Sequence, residues 1–141
     1  MGQKEKPIRV LISKSEQDCH DIGTRYIVKL LQDAGMEVVF TRYFIADEVV
    51  KTALEEDVDI IGLSFYSSGL MYDTTEVLKG LKENGMEDAA LILGGTISKK
   101  EEEMLLEMGI ARVFVPGRGT PKDIPAFILS YFEKHGRSLE L

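Results

Sequence analysis

Cysteine is almost missing from this chain, and the single Cys19 rules out an internal disulfide and any CxxC metal site. Positive charge is also in short supply. Seventeen Lys and Arg face 24 Asp and Glu, for a net charge of -7. A phosphate backbone demands a basic face, so nucleic acid is excluded as the main partner. No apolar run approaches the ~20 residues of a membrane span. The opening Met1-Gly2-Gln3-Lys4-Glu5-Lys6 lacks the apolar core of a signal peptide. Together these absences predict a cytoplasmic protein with no membrane and no nucleic-acid partner. Internal repeats beyond a strand–helix unit and low-complexity stretches are lacking as well.

What is present suits one globular domain. The chain has 141 residues, 44% hydrophobic and 29% charged, enough to bury a core without staples. Residues 1–7 read as a polar tail ending in Pro7, residues 8–135 as the domain, and residues 136–141 as a frayed C-terminal tail. Ile8 to Ser13 is a short β-branched strand. Ile22, Tyr26, Ile27, Leu30 and Leu31 then recur at helical spacing, with Gly35 as a stop. Glu37 to Thr41 is a second strand, and Val49, Val50, Ala53 and Leu54 mark a helix for which Asp47 is the expected cap. Val58 to Leu63, nearly unbroken in its apolar run, suits a central strand covered on both faces.

The second half repeats the alternation. A polar loop from Ser64 to Gly69 precedes a helix ending near Gly85, and Ala89 to Leu93 is a strand closed by Gly94-Gly95. Ser98-Lys99-Lys100-Glu101 matches a capping box, opening a helix that runs to Gly109. Arg112 to Val115 is the fifth strand. Thr120-Pro121-Lys122-Asp123 repeats the box before a last helix running to about His135. Strands alternating with helices imply an α/β domain with a parallel sheet covered on both faces. For five units the expected order is 2-1-3-4-5, flavodoxin-like (Rossmann-like), with a topological switch between the first and third strands. The loops after strands one, three and four then open on one rim. Those are the loops of unusual composition.

The richest of them is Lys14-Ser15-Glu16-Gln17-Asp18-Cys19-His20-Asp21-Ile22-Gly23. His20 by itself reads as an ordinary surface histidine, and Asp18 as a turn residue or helix cap. As a pair they fit a metal-bound imidazole whose other N–H is held by a carboxylate, and Lys14 can extend that relay. Gly23 in the first turn of a helix weakens the helix, which is explained by close approach of something bulky. Gly94-Gly95 reads either as a tight turn or as part of a ligand cavity on the same rim. Ser64, Ser67 and Ser68 offer hydroxyls to that cavity, or form an ordinary polar loop.

The same stretch has rivals. Cys19 to Arg25 spells C-x5-R, the phosphate loop of cysteine-dependent phosphatases. Against it, Cys19 lies several residues beyond the strand, Asp21 puts a negative charge inside an anion cradle, and Tyr26 stands where a hydroxyl usually assists the thiolate. A zinc site from Asp18, Cys19, His20 and Asp21 fails on geometry, since contiguous ligands do not converge tetrahedrally and no other cluster joins them. A phosphoryl-accepting receiver needs an aspartate ending the third strand, where this chain has Leu63-Ser64.

With those residues in place, the chain resembles the cobalamin-binding domain of the methylmalonyl-CoA mutase family. The D-x-H-x-x-G signature is matched by Asp18, His20 and Gly23, with Lys14 upstream; the S-x-L element falls at Ser64-Phe65-Tyr66 and the GG element at Gly94-Gly95. The resemblance covers nearly the whole chain. It implies cobalamin, as adenosylcobalamin, bound with its dimethylbenzimidazole off the cobalt and threaded into the core. His20 would be the lower axial ligand of cobalt, with Asp18 and Lys14 behind it. Gly23, Gly94 and Gly95 would make room for the nucleotide tail, Ser64 would contact the displaced base, and Asp21, Tyr66 and Ser68 would complete the cofactor-binding set. Tyr66 stands where the family prefers leucine, a departure that reshapes the tail pocket, and Cys19 where it prefers glycine, a departure that restricts the loop.

A substrate-binding (β/α)8 barrel takes about 250 residues, so none of it lies in this chain. The resemblance therefore implies the small subunit of a two-component acyl-CoA mutase, an isomerase whose catalytic residues and acyl-CoA site belong to a large barrel subunit. The alternatives are a corrinoid carrier in methyl transfer, a cobalamin-responsive regulator, and a cofactor-free interaction domain.

Overall fold

A computed structural model describes residues 7–15, 22–65 and 69–134. It contains β1 (Arg9–Ser15), α1 (Ile22–Asp33), β2 (Glu37–Tyr43), α2 (Ala46–Glu56), β3 (Ile60–Phe65), α3 (Leu70–Glu83), β4 (Ala90–Gly95), α4 (Lys99–Glu107), β5 (Arg112–Phe114) and α5 (Asp123–Lys134). All strand pairs are parallel and the order is β2-β1-β3-β4-β5, as expected from the alternation of elements. No helix among the described residues is long and apolar enough to cross a membrane.

The sheet divides the core into two layers because successive strand side chains point to opposite faces. Leu11, Ile61, Leu63, Leu91 and Leu93 meet α2, α3 and α4 through residues such as Val50, Val77 and Leu105. Val10, Ile12, Ile60, Ala90 and Ile92 meet Leu31 of α1 and Ile124, Ile128 and Phe132 of α5. Both faces of the central strands are therefore apolar, which is why β3 shows no alternation in the sequence.

Several boundaries differ from the sequence reading, each for a hydrogen-bonding reason. β1, β3 and β4 run two residues further, so Lys14, Ser64, Gly94 and Gly95 are strand residues rather than loop residues. In-register neighbours satisfy their backbone groups and keep them extended. β5 stops at Phe114, one residue short of the expected Val115. Asp47 lies inside α2 and does not cap it. The Glu48 carboxylate instead accepts from the N–H groups of Phe44 at 2.6 Å and Ile45 at 3.2 Å.

The Ser98 box forms in full. Ser98 Oγ accepts from the Glu101 N–H at 3.1 Å, and Glu101 accepts from the Ser98 N–H at 2.9 Å. The Thr120 box forms by half. Asp123 accepts from the Thr120 N–H at 2.9 Å, but its own N–H goes to the Thr120 carbonyl, and the helix begins at Asp123 rather than Pro121. His135 and residues 136–141 lie outside the described residues.

Candidate functional site

Register sets the site. β1 pairs Lys14 with Ser64 of β3, and β3 pairs Ser64 with Gly94 of β4. The three stand in one row near the C-terminal ends of the strands. They share a face with Ile12, Gly62 and Ile92, which form the row beneath. This is the face covered by α1 and α5.

Between that face and the two helices lies a cavity of about 330 Å³. Ile12, Gly62 and Ile92 form its floor and Ser64 and Gly94 its inner rim. Gly23 and Thr24 of α1 stand on one side, Ile124 of α5 on the other, and residues 115–121 close it beyond β5. Its volume is at the lower end of the ~300–1,000 Å³ range of small-molecule sites, and such sites are mostly apolar with a few placed polar groups.

The glycines have different jobs. Gly95 takes φ +132°, and a Cβ there would collide with the Phe65 carbonyl, so Gly95 is needed to build the strand end. Gly94 has no such constraint. A Cβ on it would find only the Phe114 carbonyl oxygen, at 3.6 Å, so the space above it is open. Gly62 leaves the floor low, since a Cβ there would sit 2.9 Å from Ile12 Cδ1.

Polar groups are few. Lys14 is fully buried. Ser64 is half-buried, and its Oγ accepts from the hydroxyl of Thr24 at 3.4 Å. Among the described residues no group of three or more His, Cys, Asp or Glu could hold a metal. The described part of the site can thus enclose a largely apolar group with a hydrogen-bonding edge, without general acid–base machinery of its own.

The structure brings together Lys14, Gly23, Ser64, Gly94 and Gly95 of the sequence-derived set. Asp18, Cys19, His20, Asp21, Tyr66, Ser67 and Ser68 lie outside the described residues. Their flanking elements end on the same rim, since Gly23 and Ser64 both line the cavity. Sequence reasoning missed Thr24, Gly62 and the 115–121 wall. An isolated glycine inside an apolar strand was the available signal for Gly62. Thr24 carried none, because its partner lies forty residues away.

Residues 8–124 match the family model described as the B12 binding domain. The chain is 37% identical over 113 residues to the pivalyl-CoA mutase small subunit of Xanthobacter autotrophicus, spanning 79% of this chain and 76% of that one. It is 34% identical over 112 residues to the 2-hydroxyisobutanoyl-CoA mutase small subunit of Aquincola tertiaricarbonis, spanning 79% and 82%. A cobalamin-binding protein from Desulfitobacterium hafniense superposes with a TM-score of 0.75 at 20% identity, over 89% of this chain and 60% of that one. At that identity the likeness establishes a shared fold.

Proposed function

The chain belongs to the B12-binding domain family, and from that premise we propose that it is the cobalamin-carrying small subunit of an adenosylcobalamin-dependent acyl-CoA mutase. A separate large subunit completes the enzyme, as the small-subunit relatives imply. We assign to that subunit a (β/α)8 barrel, the acyl-CoA site and the catalytic residues.

The observation that carries this reading is the cavity between the sheet and α1/α5, floored by Gly62 and opened above Gly94. Its residues fit the nucleotide tail of cobalamin. The walls are largely apolar, as a dimethylbenzimidazole needs, the Ser64 hydroxyl offers the base one polar contact, and a side chain at position 94 would occupy the tail's space. When bound, adenosylcobalamin supplies the cobalt–carbon bond whose cleavage starts radical rearrangement, and the protein orients and tunes it. His20 would ligate the cobalt, and Asp18 would hold its other ring N–H to fix the tautomer. Lys14, buried on the same row as Ser64, would extend that relay. Gly23, Gly94 and Gly95 would bring the backbone close to the tail, and Asp21, Tyr66 and Ser68 would complete the cofactor-binding set.

The test is a visible spectrum after mixing the protein with adenosylcobalamin and removing free cofactor. Wild type should retain a base-off, histidine-on spectrum, and His20→Ala should lose that signature. A wild-type protein that retains no corrinoid, alone or with its large subunit, would overturn the assignment.

A further inference from the structure

Thr24 is 2% exposed and stands in the first turn of α1. A helical threonine hydroxyl commonly bonds back to the carbonyl one turn earlier. This one reaches across to β3 and donates to Ser64 Oγ at 3.4 Å, long for a hydroxyl pair and so a contact that orients more than it binds. A serine hydroxyl has one proton and two lone pairs. One lone pair of Ser64 faces Thr24, and no described residue accepts its proton. Ser64 therefore accepts a hydrogen bond from α1 and keeps its own proton, and the open direction for that proton is the cavity it lines.

We propose that Thr24 is a positioning residue that turns the Ser64 proton into the cavity, so that the site takes a nucleotide base presenting an unprotonated ring nitrogen. The inference rests on the cobalamin reading, in which that base is the displaced dimethylbenzimidazole.

The experiment compares equilibrium binding of cobalamin and of cobinamide, the same corrin without its nucleotide, by visible absorbance. Thr24→Val keeps the shape and removes the proton. It should weaken cobalamin by about three- to tenfold, the worth of one neutral hydrogen bond, and leave cobinamide unchanged. Thr24→Ser should bind like wild type. In a Ser64→Ala background, Thr24→Val should have no further effect, because the two act as one unit. Reading both ligands on one preparation cancels any misfolded fraction.

Equal losses for both ligands, no loss at all, or full additivity with Ser64→Ala would overturn the proposal. Ser64→Ala alone must lower the cobalamin-to-cobinamide preference, or the proposal falls whatever Thr24→Val does. If wild type binds neither corrinoid, the cofactor reading has failed. If wild type binds and Thr24→Val leaves the preference intact, only this inference has.

Discussion

Gly94 and Gly95 are adjacent in sequence, yet substituting them should have opposite consequences. At Gly94 the backbone is outside the positive-φ region and a Cβ makes one ordinary contact, 3.6 Å from the Phe114 carbonyl oxygen. Gly94→Ala should therefore fold well, with a gain of about 0.4–1 kcal/mol from a less flexible unfolded chain. A larger side chain keeps that compatibility but grows into the cavity. Truncating a buried leucine opens roughly 150 Å³, so Gly94→Leu would consume about half of the 330 Å³ available. At Gly95 the φ of +132° and the Phe65 carbonyl leave no room for any Cβ. Gly95→Ala should cost at least ~1–3 kcal/mol in backbone strain alone, which is several degrees in Tm. The assay pairs a thermal melt by circular dichroism with cobalamin retention after gel filtration. Gly94→Leu is expected to melt close to wild type and to retain no cofactor. A Gly94→Leu protein that binds cobalamin as wild type does would refute the placement of the nucleotide tail in this cavity.

Three further predictions concern the frame that holds the site. Ser98→Ala removes one arm of the capping box on α4 and should cost about 1 kcal/mol in urea unfolding, with cofactor retention unchanged. Tyr43 is buried and donates to the Asp73 carboxylate at 2.8 Å, tying the end of β2 to the start of α3. Tyr43→Phe should lower stability by about 1.5 kcal/mol, the low end for a hydrogen bond to a charged group because the Asp73 carboxylate is only half-buried, measured by urea unfolding. Gly62→Ala forces the end of the Ile12 side chain to move, since the new Cβ would lie 2.9 Å from its Cδ1. That methyl is the free end of a side chain lining the cavity, so the cost should stay near or below ~1 kcal/mol, while the raised floor should weaken cobalamin binding measured by absorbance titration.

Much of this was legible without coordinates, and the reason is locality. The strand-like runs at Ile8–Ser13 and Val58–Leu63, the helical spacing from Ile22 to Leu31, and the Ser98-x-x-Glu101 box are short-range patterns. Each is set by the backbone preferences and burial of a few neighbouring residues. Their alternation leaves a parallel sheet with crossover helices, and chain order then places Lys14, Ser64 and Gly94-Gly95 toward one rim. Part of the site was likewise visible as chemistry: the Ser64 hydroxyl and the glycines at the strand end. Tertiary structure decided what those patterns leave open. Asp47 yielded the α2 cap to Glu48 because a longer carboxylate reaches the exposed N–H groups of Phe44 and Ile45. Lys14, Ser64 and Gly94 share a row only because three strands from distant parts of the chain pair in one register. Gly94 became a source of space and Gly95 a requirement of the backbone, a distinction set by the neighbouring strands. Thr24 joined the site through the packing of α1 on β3. Interstrand register and helix packing are fixed by the whole core at once, so no local stretch of sequence contains them.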